Sequence, residues 1–521
     1  MTRLFVPAPR RALLSLAIAL AAHGPAALAA EDPALADQVK ALTARVQQLE
    51  ALLARTTAAP ATQRQAAPSP APEAIDQRVR VLERKLEVAA EESAAAKAKF
   101  ANVSLGERGL AVTSPEGNFE ARLRGYVQLD GRFFHGDKAL TGTSATTDTL
   151  LARRVRPIIE GTVYKDFYYR IMPDFAGSAF TLQDAYTEWR AFPQAKVAIG
   201  RFKQPVGLER LASGSELSFV ERGLTNNLVP NRDVGVQLSG EFLGNKLQYQ
   251  AGLFNGVADG ASVGLSDTND DKDFAGRVIL QPFADLYGPL QGLGFGVSGT
   301  YGEERGSATA TALGNYVTPG QARFFTYKTT KSTFDLDQGN GKITTLPTTP
   351  VPASTVFANG ERTRFSPQGF WTWRQFGVFG DYVESAQEVT LNGASDRITN
   401  SAWQVSGAIV LTGEDASFKG IKPSSPFNPF AGQWGAVELV GRYGELDVDE
   451  TAFTRGYADI TRSARSADSW GLGVNWYLNR NVKVNFDYDE TEFVGGGGGT
   501  ALAPLDRPTE RVLLSRVQFA Y

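Results

Sequence analysis

Apolar residues alternate with polar or small residues through about the last four hundred positions of the chain, and a period of two predicts β-strands. In residues 119–134 the odd positions hold apolar residues or glycine, whereas the even positions are polar up to Arg132. Such a strand is much longer than the usual soluble strand of about 5–6 residues, and it fits a tilted wall that crosses a bilayer. The sequence therefore predicts an all-β transmembrane barrel.

Alternation and turn residues together predict sixteen antiparallel strands, an even number as a closed single-chain barrel requires. Short connections such as 479–481 are expected to be periplasmic turns, and long ones such as 304–361 extracellular loops. Residues 205–232 are charged and do not alternate regularly, which makes them a candidate for a loop folded into the lumen. The predicted strands are 119–134, 150–165, 166–176, 181–192, 195–203, 233–242, 245–254, 273–282, 292–303, 362–374, 375–386, 399–413, 433–446, 469–479, 481–491 and 509–521.

Composition argues against several other classes of protein. After the first thirty residues no uniformly apolar stretch of about twenty residues remains, so a membrane-spanning helix is not expected. The formal charge is −3, and the first thirty residues hold three arginines and no acid, so the processed chain would carry −6. A net negative charge of this kind argues against nucleic-acid binding. Cysteine is absent and histidine is rare, so no metal site and no cofactor are expected.

One string, Gly260–Gly264, matches the G-x-S-x-G pattern of serine hydrolases. That chemistry needs a strand before the serine, a helix after it and a histidine partner. The only histidine left after processing would be His135. The string is therefore interpreted as part of a loop, and the chain is not expected to be an enzyme.

The N-terminal hundred residues predict a secretory leader and a helical preface. Residues 1–30 have a positive region, an apolar run and an A-x-A cleavage site. Leucine and valine then recur at heptad spacing in 31–55 and again in 75–100, on either side of a Pro/Ala-rich linker, 56–74. We expect an α-helical coiled coil in the periplasm, and the alternative is a single helix folded back on the barrel, 101–521. The mixed Leu/Val seam does not decide between dimer and trimer.

Arginines on the predicted inward faces carry the chemistry of the pore. A guanidinium facing hydrocarbon would cost about 2–4 kcal/mol at mid-membrane, so these residues are expected to face water or protein. A series of arginines can replace the hydration shell of an oxyanion and form an anion path. Alternatively, each arginine neutralises one of the six inward acids on the same four strands. The arginines are Arg122, Arg124 and Arg132 on the first strand, Arg154 and Arg156 on the second, Arg170 on the third and Arg190 on the fourth.

Several ordered segments from residue 119 to the end resemble the phosphate-selective porin O and P family of outer-membrane porins. The resemblance implies a trimer of sixteen-stranded barrels with an inward loop and an arginine ladder that leads anions to a constriction. Some relatives also have an N-terminal coiled coil. The segments are 153–161, 200–209, 219–222, 231–236, 411–414, 435–443, 473–479 and 516–519.

By the same resemblance, six residues belong to motifs near the pore: Arg153, Arg154, Arg201, Lys203, Arg222 and Arg232. This chain departs from the family at the constriction, because residues 205–232 contain no lysine. Counted with Asp233, that segment has three arginines and four acids, which weakens the expectation of phosphate specificity. The final residue is Tyr521, where outer-membrane chains usually end in phenylalanine.

The sequence as a whole predicts a porin in the outer membrane of a Gram-negative bacterium. Its expected partners are small anionic solutes and outer-membrane lipid, and the family resemblance implies two further copies of itself in a homotrimer. The alternative is a structural outer-membrane protein that anchors to the cell wall through its periplasmic coiled coil.

Overall fold

The computed structural model describes residues 77, 80–88, 91, 100–136, 146–177, 180–262, 269–329, 336–337, 343–344 and 355–521. The chain divides into an N-terminal unit, Met1–Glu91, and a barrel unit, Glu92–Tyr521. The predicted leader, first heptad segment and linker lie outside the described residues. Residues 80–88 of the second heptad segment are helical, and the coiled coil stays a prediction. None of the described helices has the length and apolar character needed to span a membrane.

Sixteen strands form one antiparallel barrel, β3 to β11, β16 to β21 and β23, which confirms the predicted number. The barrel closes because β23 pairs with β3, from Arg511 opposite His135 to Ala520 opposite Tyr126. The strands are β1 (Asn102–Gly106), β2 (Gly109–Thr113), β3 (Glu120–His135), β4 (Thr149–Val163), β5 (Phe167–Asp174), β6 (Thr181–Phe192), β7 (Ala195–Lys203), β8 (Arg232–Phe242), β9 (Leu247–Phe254), β10 (Asp273–Leu280), β11 (Gly294–Arg305), β12 (Tyr316–Val317), β13 (Arg323–Phe325), β14 (Leu336–Asp337), β15 (Ile343–Thr344), β16 (Phe357–Trp373), β17 (Phe376–Leu391), β18 (Ala394–Val410), β19 (Ala436–Asp447), β20 (Ala464–Tyr477), β21 (Val482–Thr500), β22 (Ala503–Asp506) and β23 (Glu510–Ala520).

Side chains alternate between the outer wall and the lumen as the sequence predicts. On β3, Leu123, Leu129 and Phe133 are exposed on the outside, whereas Gln128 and Asp130 are buried inside the barrel. The outer wall can therefore contact hydrocarbon while hydrogen-bonding groups fill the lumen.

Some strands extend beyond their predicted ends at the long-loop end of the barrel. Strand β17 continues to Leu391 and β21 to Thr500, past the predicted ends at 386 and 491. The outward positions beyond the predicted end of β21 begin with the exposed acid Glu492, so the outward residues are no longer all apolar although the strand pairing continues. The hairpin β1–β2, which pairs with the start of β3, was also not predicted because its strands are only five residues each.

Residues 204–231, which we call the lumenal loop, leave β7 and enter the barrel, as predicted for 205–232. Polar side chains from the inner wall hold the backbone of this loop. Gln128 Nε2 donates to Gly214 O at 2.7 Å, and Gln518 Nε2 donates to Ser215 O at 3.0 Å. Lys483 Nζ donates to Leu217 O at 2.8 Å. The loop therefore crosses the lumen from β7 to the wall formed by β3, β21 and β23.

An apolar cluster fills the outer part of the lumen beside β17 to β21. It joins the lumenal loop to the described residues 316–327 and 356 and to the connection 448–463. The polar wall of β3 to β8 is then the hydrophilic side of the lumen. Its larger members are Val206, Leu224, Leu228, Tyr316, Phe324, Phe325, Tyr327, Ile398, Leu446, Tyr457 and Phe493.

Candidate functional site

A β-bulge in β4 turns two consecutive arginines toward the lumenal loop. The register of β3 against β4 shifts so that Gln128 pairs with Arg154 while Leu129 pairs with Ala152. Arg153 is therefore the extra residue of the bulge, and the usual alternation is interrupted at this point. Both Arg153 and Arg154 then reach the same carboxylate, that of Glu221 in the lumenal loop.

Glu221 lies at the centre of four guanidinium groups. Its carboxylate oxygens lie 3.3 Å from Arg132 Nη2, 3.4 Å from Arg154 Nη2 and 3.9 Å from Arg516 Nη2, and Arg153 Nε donates to it directly. Burial alone would raise the pKa of Glu221, but the surrounding arginine charges outweigh burial and hold that pKa well below its usual value. The carboxylate is thus ionised and fixes the loop to the wall.

The cluster around Glu221 nevertheless keeps a surplus of positive charge. One further carboxylate, Asp130, accepts two hydrogen bonds of 2.7 Å from Arg516. Four guanidinium groups therefore face two carboxylates. The Arg153 side chain is 28% exposed, so part of this charge can be reached from the lumen.

The other predicted wall arginines of β3 to β6 are each paired with an acid. This arrangement matches the alternative interpretation, in which inward arginines neutralise inward carboxylates. The nitrogen–oxygen distances are 2.7 Å for Arg122–Glu120, 2.6 Å for Arg124–Glu160, 2.7 Å for Arg156–Asp174, 3.2 Å for Arg170–Asp184 and 2.6 Å for Arg190–Glu188.

Arg232 and Arg201 lie at the facing ends of β8 and β7. Arg232 Nε donates to Asp184 Oδ1 at 2.7 Å, so Asp184 binds both Arg232 and Arg170. Arg201 is buried, and its Nε donates to Gln183 O at 3.3 Å.

Three cations at the lumenal loop have a different environment, and we call Lys203, Arg210 and Arg222 the loop cations. Lys203 Nζ donates to Ala212 O at 2.7 Å, and Arg222 Nη2 donates to the same oxygen at 2.8 Å. Arg210 donates to Asn226 O. Within the described part of the chain, no carboxylate oxygen lies within 4.0 Å of a nitrogen of these three side chains. Burial lowers the pKa of Arg210 to about 9.

The Glu209 carboxylate of the lumenal loop has hydrogen-bond partners other than the loop cations. Glu209 accepts hydrogen bonds from Asn226 Nδ2 at 2.6 Å, from Gly223 N at 3.0 Å and from Gln404 Nε2 at 3.2 Å. Arg442 of β19 lies 3.8 Å from the same carboxylate. The net charge of residues 205–233 therefore does not describe the field in the lumen. Wall arginines bind Glu221, and loop and wall groups together bind Glu209, whereas the hydrogen bonds of the loop cations go to backbone carbonyls.

An ammonium and two guanidinium groups without carboxylate partners form a site suited to an oxyanion. Their donors can exchange a carbonyl for a passing anion, and charge-assisted hydrogen bonds to an oxyanion are stronger than those to a neutral carbonyl. No group of three or more acidic or histidine side chains in the described ranges is placed to hold a metal ion.

The model of the phosphate-selective porin O and P family matches residues 122–492, which is most of the barrel. The chain belongs to this family. Porin O of Pseudomonas aeruginosa is 25% identical over 393 residues, covering 73% of this chain and 84% of that protein. Among solved structures, the outer-membrane channel DcaP of Acinetobacter baumannii has 10% identity and a TM-score of 0.47, covering 78% of this chain and 98% of that chain. OmpT of Vibrio cholerae has 12% identity and a TM-score of 0.45, with the same coverage of 78% and 98%.

The protein is thus a porin of the Gram-negative outer membrane, a channel and not an enzyme. The structure adds lumenal arginines that the sequence interpretation did not include among its pore residues, although inward parity on β10, β16, β19 and β23 was a usable signal. They were missed because parity was followed only on the first four strands. They are Arg210 in the lumenal loop and Arg277, Arg362, Arg364, Arg442 and Arg516 on the wall.

Proposed function

We propose that this porin is a passive diffusion channel that prefers small anions, with phosphate-like oxyanions as its preferred solutes. One observation carries the proposal: Lys203, Arg210 and Arg222 lie together at the lumenal loop without a carboxylate partner among the described residues. The family description, phosphate-selective porin, supports the same solute class.

Ten residues form the proposed anion path, and they differ in role. Arg122, Arg124, Arg156, Arg170 and Arg232 are held by acids and shape a nearly neutral polar wall. Arg153 and Arg154 carry part of the surplus charge around Glu221. Lys203 and Arg222, with Arg201 nearby, form a positive region at the loop, and Arg210, the third loop cation, joins these ten residues. A channel conducts when a site attracts the ion but can also release it, and displaceable carbonyl partners satisfy both requirements.

Reversal potentials in a potassium chloride gradient, measured in planar bilayers, test this proposal. The double variant Lys203→Gln/Arg222→Gln removes two cations that have no carboxylate within 4.0 Å among the described residues. At about 7 Å in water each charge shifts the energies of chloride and potassium by about 0.6 kcal/mol in opposite directions, so it changes their difference by about 1.2 kcal/mol. Removing both charges should therefore lower the chloride-to-potassium permeability ratio by about fiftyfold.

A matched control removes one cation and one anion together from the wall. In Arg124→Gln/Glu160→Gln the pair at 2.6 Å disappears and the net charge stays constant. We expect this control to keep the permeability ratio of the wild type. A wild-type channel that prefers potassium, or equal shifts in both double variants, would refute the role of the loop cations.

We further propose that residues 1–30 are removed on export, that the heptad segments lie in the periplasm, and that the barrel assembles as a homotrimer. The family membership and the heptad spacing of the sequence support these assignments. The alternative of a structural anchor rests on the heptad segments alone, and no observation on the barrel favours it.

A further inference from the structure

A second polar recess opens on the inner wall near the short-turn end of the barrel, and we call it the lower niche. It has a volume of about 170 Å³ and lies where β7 and β9 begin and β8 and β10 end. In bacterial outer-membrane barrels the short turns face the periplasm, so this is the exit side for an incoming solute. Its polar lining consists of Lys196, Ser239, Glu241, Gln248, Gln250 and Arg277.

Arg277 is the charged centre of the lower niche, and its partners are amides. Its Nη2 donates to Gln368 Oε1 at 3.0 Å, and weaker contacts join Nε to the same oxygen at 3.4 Å and Nη1 to Gln250 Oε1 at 3.5 Å. Over the described ranges, no carboxylate oxygen lies within 4.0 Å of the guanidinium. The neighbouring wall arginine Arg364 shows the usual arrangement, with Asp259 at 2.7 Å. A half-buried guanidinium with unused donors is an open position for a planar carboxylate, which matches its two parallel N–H groups.

The remaining groups of the lower niche are suited to neutral hydroxyl groups. Lys196 and Glu241 form a pair at 3.3 Å, so they add no net charge. Gln248 has one weak contact, a donation to Asn245 O at 3.5 Å, and its amide therefore has capacity for a ligand. Amides and hydroxyls both donate and accept, which is what recognition of a polyol requires. The volume corresponds to about five or six water molecules, so a short organic acid fits better than an extended one.

We propose that the lower niche binds small hydroxylated carboxylates, with the carboxylate on Arg277 and the hydroxyls on Gln248, Gln250 and Ser239. The site is separate from the loop cations, and it depends on the proposed function only in that a solute must be able to reach the lumen. The lower niche would bind hydroxy acids on the exit side of the lumen, whereas the loop cations bind compact oxyanions at the lumenal loop.

Binding is tested on the full chain in detergent micelles, so that conduction is not required. Saturation-transfer NMR gives apparent dissociation constants for glycerate and for propionate, which has the same carboxylate but no hydroxyl groups. We expect wild-type protein to bind glycerate several-fold more tightly than propionate. In Arg277→Gln, both affinities should fall by about tenfold or more, because the charge-assisted hydrogen bonds to the carboxylate are lost. Phosphate binding, followed by phosphorus-31 line broadening, should not change in this variant.

Gln248→Ala is the second variant, because a side chain with one 3.5 Å contact contributes little to folding. It should lower the affinity for glycerate toward that for propionate and leave propionate unchanged. Lys203→Gln/Arg222→Gln should show the opposite pattern, with phosphate weakened and glycerate retained. Glycerate affinity that is unchanged in Arg277→Gln and Gln248→Ala would overturn the proposal that the lower niche binds hydroxylated carboxylates. If the binding results are as expected but the reversal potential shows no anion preference, only the proposed function is refuted.

Discussion

At the residue scale, the partner of a charge decides its role more than its position on a strand does. Alternation alone places Arg154 and Arg156 on the lumen side, and the structure agrees. The sequence could not show which arginines are neutralised, because some partners are two residues away on the same strand and others lie on a different strand. Arg516 and Asp130, for example, are 386 positions apart and meet only because the barrel closes. The loop cations are therefore distinguished by folding and not by a local motif.

Glu221→Gln should destabilise the barrel and increase its preference for anions. Removing one partner of a buried ion pair typically costs about 3–5 kcal/mol, since it leaves buried charge without compensation. Four arginines surround this carboxylate, which is 3% exposed. Chemical unfolding in detergent gives the stability, and the reversal potential gives the selectivity.

The control for this variant is Glu241→Gln, which changes the net charge equally. The Lys196–Glu241 pair has side chains that are 29% and 33% exposed, and pairs near the surface contribute only about 0–1 kcal/mol. We expect little loss of stability there. Equal losses in the two variants would contradict the central role given to Glu221.

At the element scale, period and turn residues predicted where each barrel strand lies but not how neighbouring strands register. Strand β6 (Thr181–Phe192) and strand β7 (Ala195–Lys203) begin and end as predicted. The bulge at Arg153 was not predicted, because a bulge is defined by the pairing with β3 and leaves no mark on the composition of β4. The apolar cluster of the outer loops was also missed, since loop residues have no period from which to infer packing.

Deletion of Arg153 should remove the bulge without unfolding the barrel. The flanking pairs, Gln128 with Arg154 and Leu129 with Ala152, become consecutive, so the register on both sides is kept. The lumen loses one guanidinium, and the chloride-to-potassium permeability ratio should fall by about sevenfold, because one charge shifts the two ions in opposite directions. Arg153→Gln is the matched control, because it loses the same charge and keeps the bulge.

The two variants of Arg153 should give the same reversal potential and similar heat-modifiable migration on gels. A deletion variant that fails to assemble, beside a well-folded Arg153→Gln, would show that the bulge has a structural role beyond the placement of charge.

At the scale of the whole molecule, the number of strands could be predicted because each strand has its own alternating pattern. The inward loop could be predicted because residues 205–232 are charged and lack that pattern. Two of the three loop cations, Lys203 and Arg222, were named through the family resemblance. Their lack of a carboxylate within 4.0 Å among the described residues could not be predicted, because it depends on how a strand end, a loop and the opposite wall fold together. The assembly is a property of several chains and stays a proposal.

Deletion of residues 31–99 should leave an assembled trimer. Barrel walls bury apolar surface against one another in this class, so the heptad segments would contribute only part of the association energy. Native mass spectrometry of the deleted and full-length proteins in the same detergent measures the difference. If the deleted protein is monomeric, the heptad segments and not the barrel walls are responsible for assembly.

The loop cations are proposed to form an oxyanion site inside this porin. Anomalous diffraction from crystals of the wild-type protein soaked in rubidium selenate can locate both ions, since they scatter anomalously at different edges. We expect selenium density within hydrogen-bonding distance of Lys203 Nζ and the Arg222 guanidinium, and no rubidium density there. Rubidium at that position, or selenium bound elsewhere in the lumen but not at the loop cations, would refute an oxyanion site at these residues.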